Sequence, residues 1–290
     1  MPLQLSVLKT RAITAIVFVA VMLLGLLWNQ WSYLILFTVI HIGCWYEYKQ
    51  LLLKIDPSYE QMNSIHHNSM QLAGWGLMLM GGMQELRIGE LIFPDLGQYI
   101  LVAALLLFII NEVLRNKTNI YRFPLYALLG FLYISLACYF MMLLYGNIRH
   151  RVFPEQPDVA MPLLVICTIW INDTMAYLVG SLIGKTPLSQ VSPKKTVEGT
   201  LGGIILSVIA VTMAGVYFFH LPTQPLLVLS ILTAVAGTWG DLLESKLKRM
   251  AGVKDSGQIM PGHGGFMDRF DSLLLAVIAV GVVFSCWYAE

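Results

Sequence analysis

The chain has 290 residues, 57% of them apolar and 12% charged, with a mean hydropathy of +0.71. An ordinary soluble domain carries about a quarter charged residues, so a soluble globular enzyme is excluded. A formal charge of +1 leaves neither nucleic acid nor a uniformly anionic surface as a natural partner.

Taken in chain order, hydrophobic runs long enough to span a bilayer fall at about 12–28, 31–50, 68–84, 93–113, 123–146, 159–183, 200–220, 224–243 and 266–287. They predict an all-α, polytopic integral membrane protein with about nine transmembrane helices. No repeat, low-complexity tract or long linker divides them, so residues 1–290 are read as a single membrane domain. Its first 150 residues are the less specific part, and catalytic helices and cytosolic loops are expected in 160–287. The first run follows Lys9 and Arg11 and continues into Trp28 and Trp31 without a small-x-small cleavage site, so it is read as a retained span. Cys44, Cys138, Cys167 and Cys286 lie apart within apolar stretches, with no CxxC pairing, and indicate neither disulfides nor zinc.

Alternating the loops across the membrane leaves Arg87, Arg149 and Arg151 on one side and the rest of the 18 lysines and arginines on the other. That imbalance predicts a cytosolic N-terminus and an outer C-terminus. It also puts the two most polar loops, about 184–199 and 244–265, on the cytosolic face.

Glu47, at the cytosolic end of the second run, is read as an interfacial residue. Asp173 lies within the sixth run, where an ionisable side chain is expensive and marks a functional site by default. Beyond it stand Ser192, Lys194, Lys195 and Thr196, a turn opening the seventh run where backbone N–H groups and the positive helix end favour an anion. The lysines also suit the positive-inside bias. The eighth run ends in Asp241 and Glu244, and the ninth begins with Asp268 and Asp271, each pair three residues apart and so able to share a helix face. Between them lie Ser245, Lys248, Arg249, Lys254 and His263 among several glycines.

Carboxylates gathered near the headgroup boundary repel one another unless a cation holds them. Oxygen ligands suit a hard divalent ion, and Mg²⁺ on Asp241, Asp268 and Asp271 is the expected choice, with a second, monovalent cation as a further candidate. Lysines and arginines beside it would neutralise phosphate oxygens that the ion does not reach. Residue types thus point to a metal, a polyphosphate and a membrane-depth cavity.

The stretch Ser245-x-Leu247-Lys248-Arg249-x4-Lys254-Asp255-x-Gly257-x3-Pro261-x-His263-Gly264-Gly265-Phe266-x-Asp268-Arg269-Phe270-Asp271 closely resembles the signature of the phosphatidate cytidylyltransferase (CDP-diacylglycerol synthase) family. Ser192-Pro193-x-Lys195-Thr196-x-x-Gly199 is similar to that family's second motif, and Asp173 with Ala176-Tyr177 looks like its intramembrane acidic site. Met260 stands where Leu, Ile or Phe is expected, and Asn172 where a small residue is expected. The resemblance covers about 170–271.

It implies the reaction CTP + phosphatidate → CDP-diacylglycerol + diphosphate in a largely helical, homodimeric membrane protein of a bacterial plasma membrane. CTP, phosphatidate from the inner leaflet and the lipid bilayer are then the partners. Asp241, Asp268, Asp271, Lys248 and Arg249 are the expected catalytic set. Ser192, Lys194, Lys195, Thr196, Ser245, Lys254, His263 and Asp173 are the expected substrate contacts. A polyprenol or dolichol kinase, or another lipid nucleotidyltransferase, would share the membrane site and the metal logic. A secondary transporter would instead need charges along a path open to both faces.

Overall fold

A computed structural model describes residues 5–114, 122–259 and 264–287, with side chains from Ile13 onward. His263 therefore lies outside the described residues, as do Arg115, Lys117, Met260 and Pro261. The described chain is helical almost throughout: α1 (Leu5–Leu27), α2 (Gln30–Ile55), α3 (Ser64–Met80), α4 (Phe93–Leu114), α5 (Arg122–Gly130), α6 (Leu136–Tyr145), α7 (Asn147–Val152), α8 (Ala160–Ile183), α9 (Val197–Phe219), α10 (Thr223–Met250) and α11 (Met267–Trp287). A π-helical turn, Phe131–Ser135, joins α5 to α6 in one continuous rod. The strand content among described residues is a hairpin of two short strands, β1 (Arg87–Ile88) and β2 (Leu91–Ile92).

Among the described residues six helices are long and apolar enough to cross a membrane: Phe93–Leu114, Arg122–Tyr145, Ala160–Ile183, Val197–Phe219, Thr223–Met250 and Met267–Trp287. Of the nine expected spans these six are found. α1 is a helix of 23 residues with side chains described from Ile13 onward, and Ile13–Leu27 is its described apolar part. α2 carries His41, Glu47, Lys49 and Lys54 among polar aromatic rings, and α3 has 17 residues, the lower end of what spans hydrocarbon. Large apolar side chains such as Val102, Leu106, Ile109 and Val113 on α4 are exposed, as a lipid-facing surface requires.

Helix ends follow local chemistry. Asn29 caps α2 by accepting the backbone N–H groups of Trp31 and Ser32, while Ser32 Oγ accepts that of Asn29. Thr196 caps α9 through Gly199 N–H. α10 runs on to Met250, so residues 244–250, expected in a loop, are helical. Its end is closed by Gly252 at φ +68, with Gly252 N–H donating to Arg249 C=O and Val253 N–H to Lys248 C=O.

Packing divides the chain into two compact units, one of Met1–Tyr139 with Leu247–Phe270, the other of Phe140–Lys246 with Asp271–Glu290. Tyr33, Phe37, Ile40, Leu51, Met78 and Ile134 are fully buried in the first. Near them His41 and Trp45 both hydrogen-bond Ser135 of the π turn, which satisfies polar groups deep among apolar helices. In the second unit α8 and α9 approach through small residues: a Cβ on Gly199 would meet Ala176 O at 2.7 Å, and one on Gly203 would meet Asn172 O at 2.7 Å.

Candidate active site

The described parts of the glycine-rich loop between α10 and α11, residues 251–259 and 264–266, are organised around two carboxylates of the first unit. Asp268, in the first turn of α11, accepts four hydrogen bonds. Lys248 Nζ donates to Oδ1 at 2.6 Å; Ser256 N–H at 2.8 Å, Ser256 Oγ at 3.0 Å and Gly265 N–H at 2.8 Å all donate to Oδ2. The lysine, 9% exposed, comes from the last turn of α10, where a cation also suits the helix dipole.

The second carboxylate comes from 209 residues before Ser256 in the chain. Glu47 on α2 is 1% exposed and accepts Ser256 Oγ at 2.6 Å, Phe266 N–H at 2.8 Å and Met267 N–H at 2.9 Å. These amides belong to the opening of α11, so Glu47 supplies the acceptors that a helix N-terminus otherwise lacks. One turn earlier on the same face, Gly43 leaves room for the Phe266 ring, whose atoms would stand 2.5 Å from a Cβ there. A Cβ on either Gly257 or Gly265 would run into the Glu47 carboxylate. The interfacial reading of Glu47 is therefore corrected: it is buried inside the loop. Its only sequence signal was an acidic residue in a hydrophobic helix, and nothing in the spacing tied it to residue 256.

The second unit holds another charged group. Lys195 pairs with Asp241 on α10. Asp173 on α8, exposed in the isolated chain, lies within electrostatic reach of Lys195 and of Asp271. α10 and α11 approach closely here, since a Cβ on Gly240 would meet Asp271 O at 2.5 Å. Glu198 in the first turn of α9 accepts Lys185 N–H, Thr186 N–H and Thr186 Oγ, which fastens the loop ahead of the helix. Leu188 N–H donates to Lys195 C=O and Val197 N–H to Thr186 C=O, folding the loop back on itself. Its turn, where Lys195 N–H meets Ser192 C=O, leaves Lys194 exposed.

The remaining expected residues are placed less distinctively. Arg249 is exposed and donates to Val253 C=O at 3.1 Å; Lys254 is exposed and Ser245 half-buried. Glu244 is fully buried, unlike its i−3 neighbour Asp241. Within the first unit the fold thus brings together Lys248, Ser256 and Asp268, and within the second Lys195, Asp241, Asp173 and Asp271.

Among the described residues no three His, Cys, Asp or Glu side chains gather closely enough to hold a metal by themselves. Mg²⁺ asks for less, since it is usually held by one or two carboxylates together with substrate phosphates and water. The donor chemistry fits: Asp241 and Asp268 each already bind a positive group, the ammonium of Lys195 or of Lys248, where a cation would sit.

The model of the cytidylyltransferase family matches residues 9–287. Proteins named phosphatidate cytidylyltransferase are similar over part of the chain. That of Staphylococcus saprophyticus is 43% identical over 123 residues, 42% of this chain and 47% of the relative. That of Staphylococcus haemolyticus is 44% identical over 123 residues, with the same coverage. That of Staphylococcus aureus is 45% identical over 118 residues, 40% of this chain and 45% of the relative. The chain spans about half the length of the curated relatives it matches.

Proposed function

This chain belongs to the cytidylyltransferase family, and from that premise we propose that it converts CTP and phosphatidate into CDP-diacylglycerol and diphosphate. A lipid-phosphate oxygen forms a new bond to the α-phosphorus of CTP as the α–β anhydride bond breaks and diphosphate leaves in line. The lipid phosphate is mostly ionised near neutral pH, so no strong general base is required. Catalysis then consists of positioning and charge neutralisation.

The observation that carries this reading is the convergence of the family signature on Asp268. Lys248, Ser256 and Gly265 reach one carboxylate from three parts of the motif. In the second unit the exposed Lys194 suits an incoming phosphate. Lys195, half-exposed beside Asp241, can turn its ammonium from the carboxylate to a substrate oxygen. Arg249 and Lys248 are the proposed partners of the departing diphosphate. Asp241, Asp268 and Asp271 are the carboxylates proposed to serve Mg²⁺, which when bound neutralises triphosphate oxygens. Orientation with the N-terminus in the cytosol, substrate drawn from the inner leaflet of a bacterial plasma membrane, and a homodimer belong to the same proposal.

The test is a panel of nucleoside triphosphates against lipid phosphates and lipid alcohols, with and without a chelator. Diphosphate release that requires CTP, phosphatidate and Mg²⁺ together is the expected result. Release of a nucleoside diphosphate with a polyprenol as acceptor would instead identify a lipid kinase.

A further inference from the structure

We propose that Glu47 is a positioning residue of this reaction, a buried carboxylate on α2 that sets the conformation of the signature loop and, through Ser256, the placement of Asp268. The inference rests on the proposed cytidylyl transfer but concerns a residue outside the signature and its neighbouring motifs. Ser256 Oγ lies 2.6 Å from Glu47 Oε2 and 3.0 Å from Asp268 Oδ2, so one hydroxyl stands between the two carboxylates with its single proton shared between them. Asp268 N–H also points back to that hydroxyl at 3.3 Å. Glu47 holds the start of α11 at the same time, through the N–H groups of Phe266 and Met267.

Each feature of this arrangement resists substitution. Glutamine has the same size, but its amide group would set a donor against a donor at one of the two oxygens, because Oε1 accepts Phe266 N–H and Oε2 accepts both Met267 N–H and Ser256 Oγ. Gly257 and Gly265 leave no space for the carboxylate to retreat into, since each presses against it. A buried carboxylate with three donors and, among the described residues, no lysine or arginine bonded to it is costly for stability alone. Its presence on α2 is accounted for by the loop it fixes.

The experiment compares wild-type protein with Glu47→Gln, Glu47→Asp, Ser256→Ala and Glu47→Gln/Ser256→Ala, each purified as the full chain. Transfer of label from CTP to phosphatidate is measured, and hydrogen exchange is followed over residues 252–268. Glu47→Gln should lower kcat by about 100-fold through misplacement of the loop, while KM for CTP stays within about threefold. Glu47→Asp, which keeps the charge, should recover part of that loss. The double variant should fall no more than about twofold below Glu47→Gln, because both changes cut the same linkage. Exchange in 252–268 should rise at least about tenfold in Glu47→Gln with the rest of the chain unchanged.

Normal kcat in Glu47→Gln, or singles whose losses multiply in the double variant, would overturn the proposal. If Glu47→Gln does not fold, Gly257→Ala serves instead. It displaces the carboxylate without removing its charge, and full activity there is equally contrary. Absence of transfer by wild type would refute the reaction, whereas unchanged loop exchange in an active Glu47→Gln would refute only the role of Glu47.

Discussion

Asp268 and Asp241 each face a lysine, yet their surroundings differ in kind. Asp268 is enclosed by four donors drawn from Lys248, Ser256 and Gly265, and its neighbour Glu47 by three more. Asp241 has Lys195 on one oxygen, and Asp173 lies within electrostatic reach of that lysine and of Asp271. A carboxylate held by several donors, backbone amides among them, defines a conformation, because each hydrogen bond to a charged acceptor is worth about 1.5–3 kcal/mol. A carboxylate with one mobile ammonium can exchange that partner for a cation or release it to a phosphate. The signature loop therefore reads as a fixed arrangement within the first unit, and the Lys195–Asp241 group as an exchangeable one within the second.

The largest effect expected from this contrast is at Asp241. Asp241→Asn should lower transfer by about 10³-fold, the scale of losing a strong electrostatic contribution, with little change in thermal midpoint or in hydrogen exchange of 252–268. Activity within tenfold of wild type would remove Asp241 from the chemistry. Asp268→Asn should lower transfer by about 10²-fold and also accelerate exchange across 252–268, because the amide places a donor against Ser256 and Gly265. Equal exchange in the two variants would erase the distinction between the regions.

How much of this could be read from the chain follows the range of the interactions. The signature from Ser245 to Asp271 announces Lys248 and Asp268 because both lie in one short segment, and the capping role of Thr196 follows from its place before Val197 and Glu198. Glu47 carries no such signal: its partners are more than 200 residues away, and a buried acid on an apolar helix looks like an interfacial one. Six of the nine expected spans are found among the described residues, and for α2 and α3 the reason is related. α2 and α3 have hydrophobic stretches, but their polar residues serve internal contacts such as Trp45 with Ser135 and Glu47 with the loop. Hydropathy records composition and not which side chains a fold satisfies. The π turn and the β1–β2 hairpin have no period to reveal them.

The smallest effect separates charge placed for substrate from charge placed for structure. Lys194 is exposed and makes no ion pair among the described residues, so Lys194→Ala should raise KM for one of the two substrates by about fivefold, as a solvent-screened surface charge would, and leave kcat within twofold. Unchanged KM for both CTP and phosphatidate would exclude it from substrate contact.

The most direct test of the central claim follows the α-phosphorus. With CTP labelled at that position, phosphatidate vesicles and Mg²⁺, the purified protein should move the label into the organic-extractable lipid with one diphosphate released per lipid formed. A chelator should stop the transfer and added Mg²⁺ restore it. Label remaining in the aqueous nucleotide pool, or transfer indifferent to the chelator, would contradict the account.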